Sequence, residues 1–253
     1  TIFYDENTIK GDRKTESLLA HEIAHQWFGN SASETHFSHL WLSEGFATYM
    51  TDAYLESHYG TDTLKSELKA QRKQVFSYEQ KRYAPIIDTS TTNYMIMLNP
   101  NSYEKGGWVL HMLRGKLGDS IFWKGIRTYY GKFAGKNAST EDLQKVFESV
   151  SGQNLGQYFR QWLYQPGHPQ LKITWTYNNQ SKSIQLNIQQ TQKSDFEFPL
   201  ELGIINGSQN EIKTIQVKEK NSSIQIPVSA KPERIILDPN TNLLAEGTID
   251  EKP

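Results

Sequence analysis

Apolar residues recur at intervals of three and four from about Thr15 to Tyr164 and then alternate with polar ones from Leu171 onward. The chain therefore changes class near Gln165-Pro166-Gly167-His168-Pro169. The helical pattern predicts a first helix from about Glu16 to Phe28, stopped by Gly29, and a second from about Leu40 to Tyr59, stopped by Gly60. A third runs from about Thr63 to Tyr78, and further helices follow. Ser139-Thr140-Glu141-Asp142 ahead of LQKVFESV has the spacing of a capping box, and Leu155, Phe159 and Trp162 mark a last amphipathic helix. Beyond the switch, Leu171, Ile173, Trp175 and Tyr177 alternate up to a polar Asn-Asn-Gln-Ser turn, and Ile184, Leu186 and Ile188 resume the pattern. FEFPLELGII, IKTIQV, SIQIPV and RIILD add short strands separated by polar turns. The expected class is α+β: a mainly helical domain over residues 1–168, then a small antiparallel β-sandwich over residues 169–253.

Composition narrows the chemistry. With 27 Lys and Arg against 28 Asp and Glu, there is no bulk charge to draw nucleic acid or an anionic membrane. No apolar run approaches the roughly 18 residues of a membrane span. The absence of cysteine removes disulfides, thiolate metal sites and a cysteine nucleophile together, so any metal must rest on histidine and carboxylate. The first residues, TIFYDENTIK, lack the basic start and apolar stretch of a signal peptide and read as a strand from within a longer fold. The compartment stays open on this reading.

His21-Glu22-Ile23-Ala24-His25 lies inside the first helical pattern. Residues four apart share a helix face, so both imidazoles can reach one ion, while Glu22, rotated by about 100°, can hold a water beside it. Leu19, Ile23 and Trp27 form a second row on roughly the opposite side, leaving the histidine row free for ligands. A tetrahedral catalytic zinc takes three protein ligands and keeps one position open. Glu44, in the second helix with eighteen residues between it and His25, is the best third donor. His36 and His39 compete for that role from the intervening loop, where a ligand is held less rigidly.

HEIAHQWFGN, WLSEGFATYM with Glu44 at that spacing, and Tyr103-Glu104-Lys105-Gly106-Gly107 together resemble the M1 zinc aminopeptidases, whose metal signature is H-E-x-x-H-(x18)-E. PGHPQLKITW and IILDPNTNLLAEG are similar to the β-sandwich that follows the catalytic domain in that family. The resemblance implies a thermolysin-like catalytic domain over residues 1–168 and hydrolysis of peptide bonds at the N-terminus of peptides. It implies one Zn2+ per chain on His21, His25 and Glu44, with Glu22 as general base. Tyr103 becomes the hydroxyl donor to the tetrahedral intermediate. Following Asn101-Ser102 as N-cap and opening a helical run from Glu104 to Leu117, Tyr103 is expected where free amides and the positive helix end favour an oxyanion. Gly106 and Gly107 are expected to let that helix approach its neighbours closely.

Three departures accompany the resemblance. Ser43 stands where the family commonly has Asn, which predicts a shorter reach to a ligand histidine. The acidic residue often found seven positions after the ligand Glu falls on Thr51, with Asp52 adjacent. The G-x-M-E-N segment that holds the substrate's α-amino group does not occur in the chain, and TIFYDEN resembles the strand that follows it. The chain is thus expected to be a piece of a longer protein, without that protein's N-terminal domain, truncated at its N-terminal sheet and of reduced activity. A cut sheet leaves an unpaired edge on which isolated chains can associate into an oligomer. A non-catalytic interaction scaffold, or another zinc hydrolase such as an endopeptidase or epoxide hydrolase on the same fold, are the alternatives.

Overall fold

The structure, a computed structural model, describes residues 15–90, 93–207 and 209–252 together with Ile2, Tyr4 and Thr8. The strand expected in TIFYDENTIK lies largely outside the described residues. The chain divides into two compact units, Thr1–Pro166 and Gly167–Pro253, two residues ahead of the boundary read from the sequence.

In the first unit, helix α1 spans Glu16–Ala24, shorter than the pattern suggested. After Ala24 the amides of Gln26 and Trp27 bond to carbonyls only three residues back, tightening the last turn. Gly29, at φ 112°, then swings the chain toward the short strand β1, Ala32–Glu34. Helix α2, Trp41–Tyr59, is the hub of the unit, packing on α1, on α3 (Thr61–Lys81) and on α4 (Gly106–Leu117). That position accounts for the burial of Trp41, Leu42, Phe46, Tyr49 and Leu55, on several sides of the helix rather than on one stripe. Helix α3 buries only Leu64, Leu68 and Val75 among its large apolar residues and is otherwise polar. Truncating a fully enclosed side chain such as Leu68 to Ala costs about 2–5 kcal/mol.

A π turn, Asn101–Lys105, runs directly into α4. Helix α5, Asp119–Phe133, leads to β2, Lys136–Ala138, which pairs parallel with β1. Helix α6, Thr140–Ser151, starts with the expected capping box: Ser139 Oγ accepts from the Asp142 amide, and Asp142 accepts in return from the Ser139 amide at 3.0 Å. Helix α7, Gly156–Phe159, and a second π turn, Arg160–Tyr164, bury Phe159 and Trp162 as the periodicity required.

The row Leu19, Ile23 and Trp27 does lie away from the two histidines. It is no core stripe, however: Ile23 and Trp27 are about half exposed and line an apolar recess with Met50 and Tyr54.

The second unit is all β. One sheet has the order β7 (Asn221–Pro227), β4 (Ser183–Gln190), β3 (Gln170–Asn178), β9 (Glu246–Glu251). The other has the order β6 (Gln209–Val217), β5 (Phe198–Asn206), β8 (Arg234–Leu237). Register follows the alternation: Ile173 sits opposite Ile188 and Trp175 opposite Leu186, all four buried. The antiparallel expectation fails at one pair, since β9 runs parallel to β3. The chain reaches β9 from β8 in the other sheet rather than through a hairpin, and parallel pairing requires such a crossing connection. Among the described residues, no helix is long and apolar enough to cross a membrane.

Candidate metal centre and catalytic cavity

His21 and His25 stand one helical turn apart on α1 and its C-cap, and Glu44 stands in the first turn of α2. Their side chains converge. His21 Nε2 and His25 Nε2 lie 3.0 Å apart, and Glu44 Oε2 lies 3.2 Å from the first and 3.1 Å from the second. A tetrahedral ion with ligands at about 2.0–2.1 Å keeps those ligands roughly 3.3 Å from one another, so two imidazoles and a carboxylate in this triangle suit zinc by size and by donor type. Among the described residues this is the one such group of three histidine or carboxylate donors.

Neighbours orient the donors. His25 Nδ1 lies 3.1 Å from the Phe28 carbonyl, which can only accept; Nδ1 therefore carries the hydrogen and Nε2 presents its lone pair to the triangle. Ser43 Oγ lies 3.3 Å from the same Nδ1, the short reach expected of a serine there. The contact exists because residue 29 is glycine: a Cβ would fall 2.3 Å from Ser43 Oγ and 3.1 Å from His25 Nδ1. Burial lowers the His25 pKa, but the hydrogen bond and charge of Glu44 outweigh it and hold the imidazole above its ordinary value. Burial likewise opposes ionisation of Glu44, yet the two histidines draw its pKa down to about 2.

The loop histidines go elsewhere. His36 Nδ1 caps Ser38, and His39 Nδ1 lies 2.9 Å from Thr140 Oγ1. Thr51 donates to the Ala47 carbonyl of its own helix, and Asp52 is bonded by Gln71, so neither supports the triangle.

Glu22 and Tyr103 both line the cavity that holds the triangle, about 800 Å³ in volume. The Tyr103 ring stacks on His21 with centroids 5.9 Å apart, and the phenol's pKa is raised, first by burial and then by the charge and hydrogen bond of Glu44. Tyr103 therefore stays a donor at neutral pH. The route by which it arrives differs from the expected one. Asn101 and Ser102 are turns of the π segment rather than caps, and Asn99 Oδ1 accepts from the Asn101 amide instead. The amides of Ser102 and Tyr103 bond the Asn99 carbonyl, so no free helix end faces the phenol. Backbone contact takes its place: a Cβ on Gly45 would fall 2.9 Å from Gly106 Cα and 3.2 Å from the Ser102 carbonyl oxygen, so α2 touches the start of α4 and the π turn main chain to main chain one residue from Glu44. Lys105, fully buried, anchors the turn from behind through a 2.7 Å bond to Glu79 of α3.

Residues 1–162 match the peptidase family M1 domain. The chain belongs to peptidase family M1. "Aminopeptidase M1-C" of Oryza sativa subsp. japonica is 28% identical over 242 residues, covering 90% of this chain and 27% of that protein. "Aminopeptidase M1-D" of the same organism is 32% identical over 179 residues, covering 68% of this chain and 20% of its own. The M1 chain described here thus spans only a fifth to about a quarter of the length of these curated relatives. The crystal structure of Legionella pneumophila aminopeptidase A in complex with aspartic acid superposes with a TM-score of 0.76 at 19% identity, over 92% of this chain and 26% of that one, which shows a shared fold.

The motifs of the M1 family pointed to five side chains, and all five border one cavity. They did not point to its far wall. Glu67 and Gln71 of α3 also line it, and no motif singled them out. Their signal was only the polar face of an amphipathic helix, which ordinarily faces solvent.

Proposed function

We propose that this chain carries the catalytic centre of a zinc-dependent aminopeptidase, hydrolysing the peptide bond at the N-terminus of peptide substrates. The observation that carries the reading is the convergence of His21 Nε2, His25 Nε2 and Glu44 Oε2 within 3.2 Å of one another, on a cavity shared with Glu22 and Tyr103. His21, His25 and Glu44 would hold one zinc ion, which supplies a Lewis acid and lowers the pKa of bound water from about 15.7 to about 7. The names of the M1 relatives support exopeptidase chemistry.

The chain's own residues divide the remaining work. Glu22 accepts a proton from the attacking water at its carboxylate and returns it to the departing amine as the C–N bond breaks. Tyr103, held protonated, donates its hydroxyl hydrogen to the oxygen on which negative charge develops. The Phe28 carbonyl and Ser43 Oγ fix the tautomer and orientation of His25. No covalent acyl intermediate is needed.

Glu22→Gln tests the assignment. The variant should keep about one zinc per chain by elemental analysis while losing at least ~10²-fold in turnover of a leucyl reporter. Unchanged turnover in Glu22→Gln would refute the mechanism, and a wild-type chain that takes up no zinc after reconstitution would refute the metal centre.

A further inference from the structure

Resting on the aminopeptidase reading and deepening it, we propose that the end of the cavity walled by Asp52, Gln71, Glu67 and Glu104 receives the positively charged side chain of a lysine or arginine at the first residue of the substrate. Asp52 follows Glu44 by eight residues on the same helix, which puts it on the same face about 12 Å farther along the axis. Glu67, Gln71 and Gln74 recur at four and three residues on α3 and present one face to the same space. The two helices therefore make a second station in the cavity, beyond the triangle.

What this station lacks, among the described residues, is a cationic side chain. Gln71 Nε2 already donates to both carboxylate oxygens of Asp52, at 2.9 and 3.0 Å. Gln71 is only 7% exposed, yet its Oε1 is buried with no partner. The cavity wall carries five carboxylates, Glu22, Glu44, Asp52, Glu67 and Glu104, and among the described residues no lysine or arginine lines it. Two of the five are engaged in the chemistry proposed above. The other three are Asp52, Glu67 and Glu104, and the charges of Glu67 and Glu104 act on Asp52. An ammonium or guanidinium group has several N–H donors and no acceptor, which is the complement of this arrangement.

A neutral side chain there leaves Gln71 Oε1 buried without a donor, a cost that discriminates strongly in enclosed sites. Burial, with Glu67 and Glu104 adding to it, pushes the Asp52 carboxyl up to about 8 in the absence of a cation, and a cation at the station favours the carboxylate.

The substrate's α-ammonium has the same chemistry, and the experiment separates the two sources. Calorimetric titration of the zinc-loaded 253-residue chain compares lysinamide with norleucinamide, which keeps the α-amine and the chain length but lacks the distal charge. Lysinamide should bind about tenfold or more tightly than norleucinamide. Asp52→Asn should erase most of that ratio, leaving zinc content and norleucinamide affinity unchanged. Glu67→Gln, at a half-buried position on the helix surface, cannot unfold the chain through a core defect and should reduce the ratio in the same direction. Equal affinity for the two amides in the wild type, or a ratio that survives both variants, would overturn the subsite and leave the aminopeptidase reading standing. Failure of the zinc-loaded chain to bind either amide would overturn both.

Discussion

Gly45→Ala is the sharpest test of how the cavity is assembled. The added methyl carbon would lie 2.9 Å from both Gly106 Cα and Gly106 carbonyl carbon and 3.2 Å from the Ser102 carbonyl oxygen. Ordinary contact begins near 3.4 Å, so α2 and the start of α4 must part by at least 0.5 Å, and the obstacle is main chain, which has no rotamer to change. Overpacking of this kind costs about 1–3 kcal/mol, and in a unit of this size that lowers Tm by about 2–12 °C. The separation acts one residue from Glu44 and three from Tyr103. Displacements approaching 1 Å in catalytic positioning cost up to ~10²-fold in rate, so a loss of about tenfold in kcat with bound zinc retained is expected. Gly115→Ala is the control, because nothing lies within 4 Å of a Cβ there; replacing a glycine within α4 should stabilise by about 0.5–1 kcal/mol. Differential scanning fluorimetry and reporter kinetics on the two variants side by side measure both effects. A Gly45→Ala protein that melts within 1 °C of wild type, at unchanged kcat, would show that the backbone contact does not position Tyr103.

Two further expectations concern buried charge. Lys105→Met removes the ammonium from the fully buried pair with Glu79 and should cost about 3–5 kcal/mol, much of it recovered when Glu79→Leu is added; chemical denaturation of the single and double variants measures the coupling. The Asp52 carboxyl, with a folded pKa raised from 3.8 to about 8 by burial and by Glu67 and Glu104, binds more protons folded than unfolded across that interval. Its contribution to stability is therefore full below pH 3.8 and is lost as the pH climbs through 8. The Tm of wild type should fall relative to Asp52→Asn between those limits, and parallel pH curves would contradict the assignment.

The parts of this protein that local rules govern were legible in the chain. Helical spacing announced α2, alternation announced β3 and β4, and the Ser139 box formed as written, because each depends on residues within a few positions of one another. The pairing of His21 with His25 belongs to the same class, since four residues on a helix fix a distance. What only the tertiary structure decided are meetings between elements far apart in sequence. Nothing local says that Glu44 comes within 3.2 Å of the histidines rather than His36 or His39, that Gly45 lies against Gly106, or that Asn99 takes over the cap read at Asn101. Nor does the polar face of α3 disclose that Gln71 closes over Asp52, because an amphipathic pattern tells apolar from polar positions but not which polar face is turned to solvent and which to another helix. Those outcomes depend on how α2, α3 and the π turn pack together, and packing is a property of the whole unit rather than of any window of sequence.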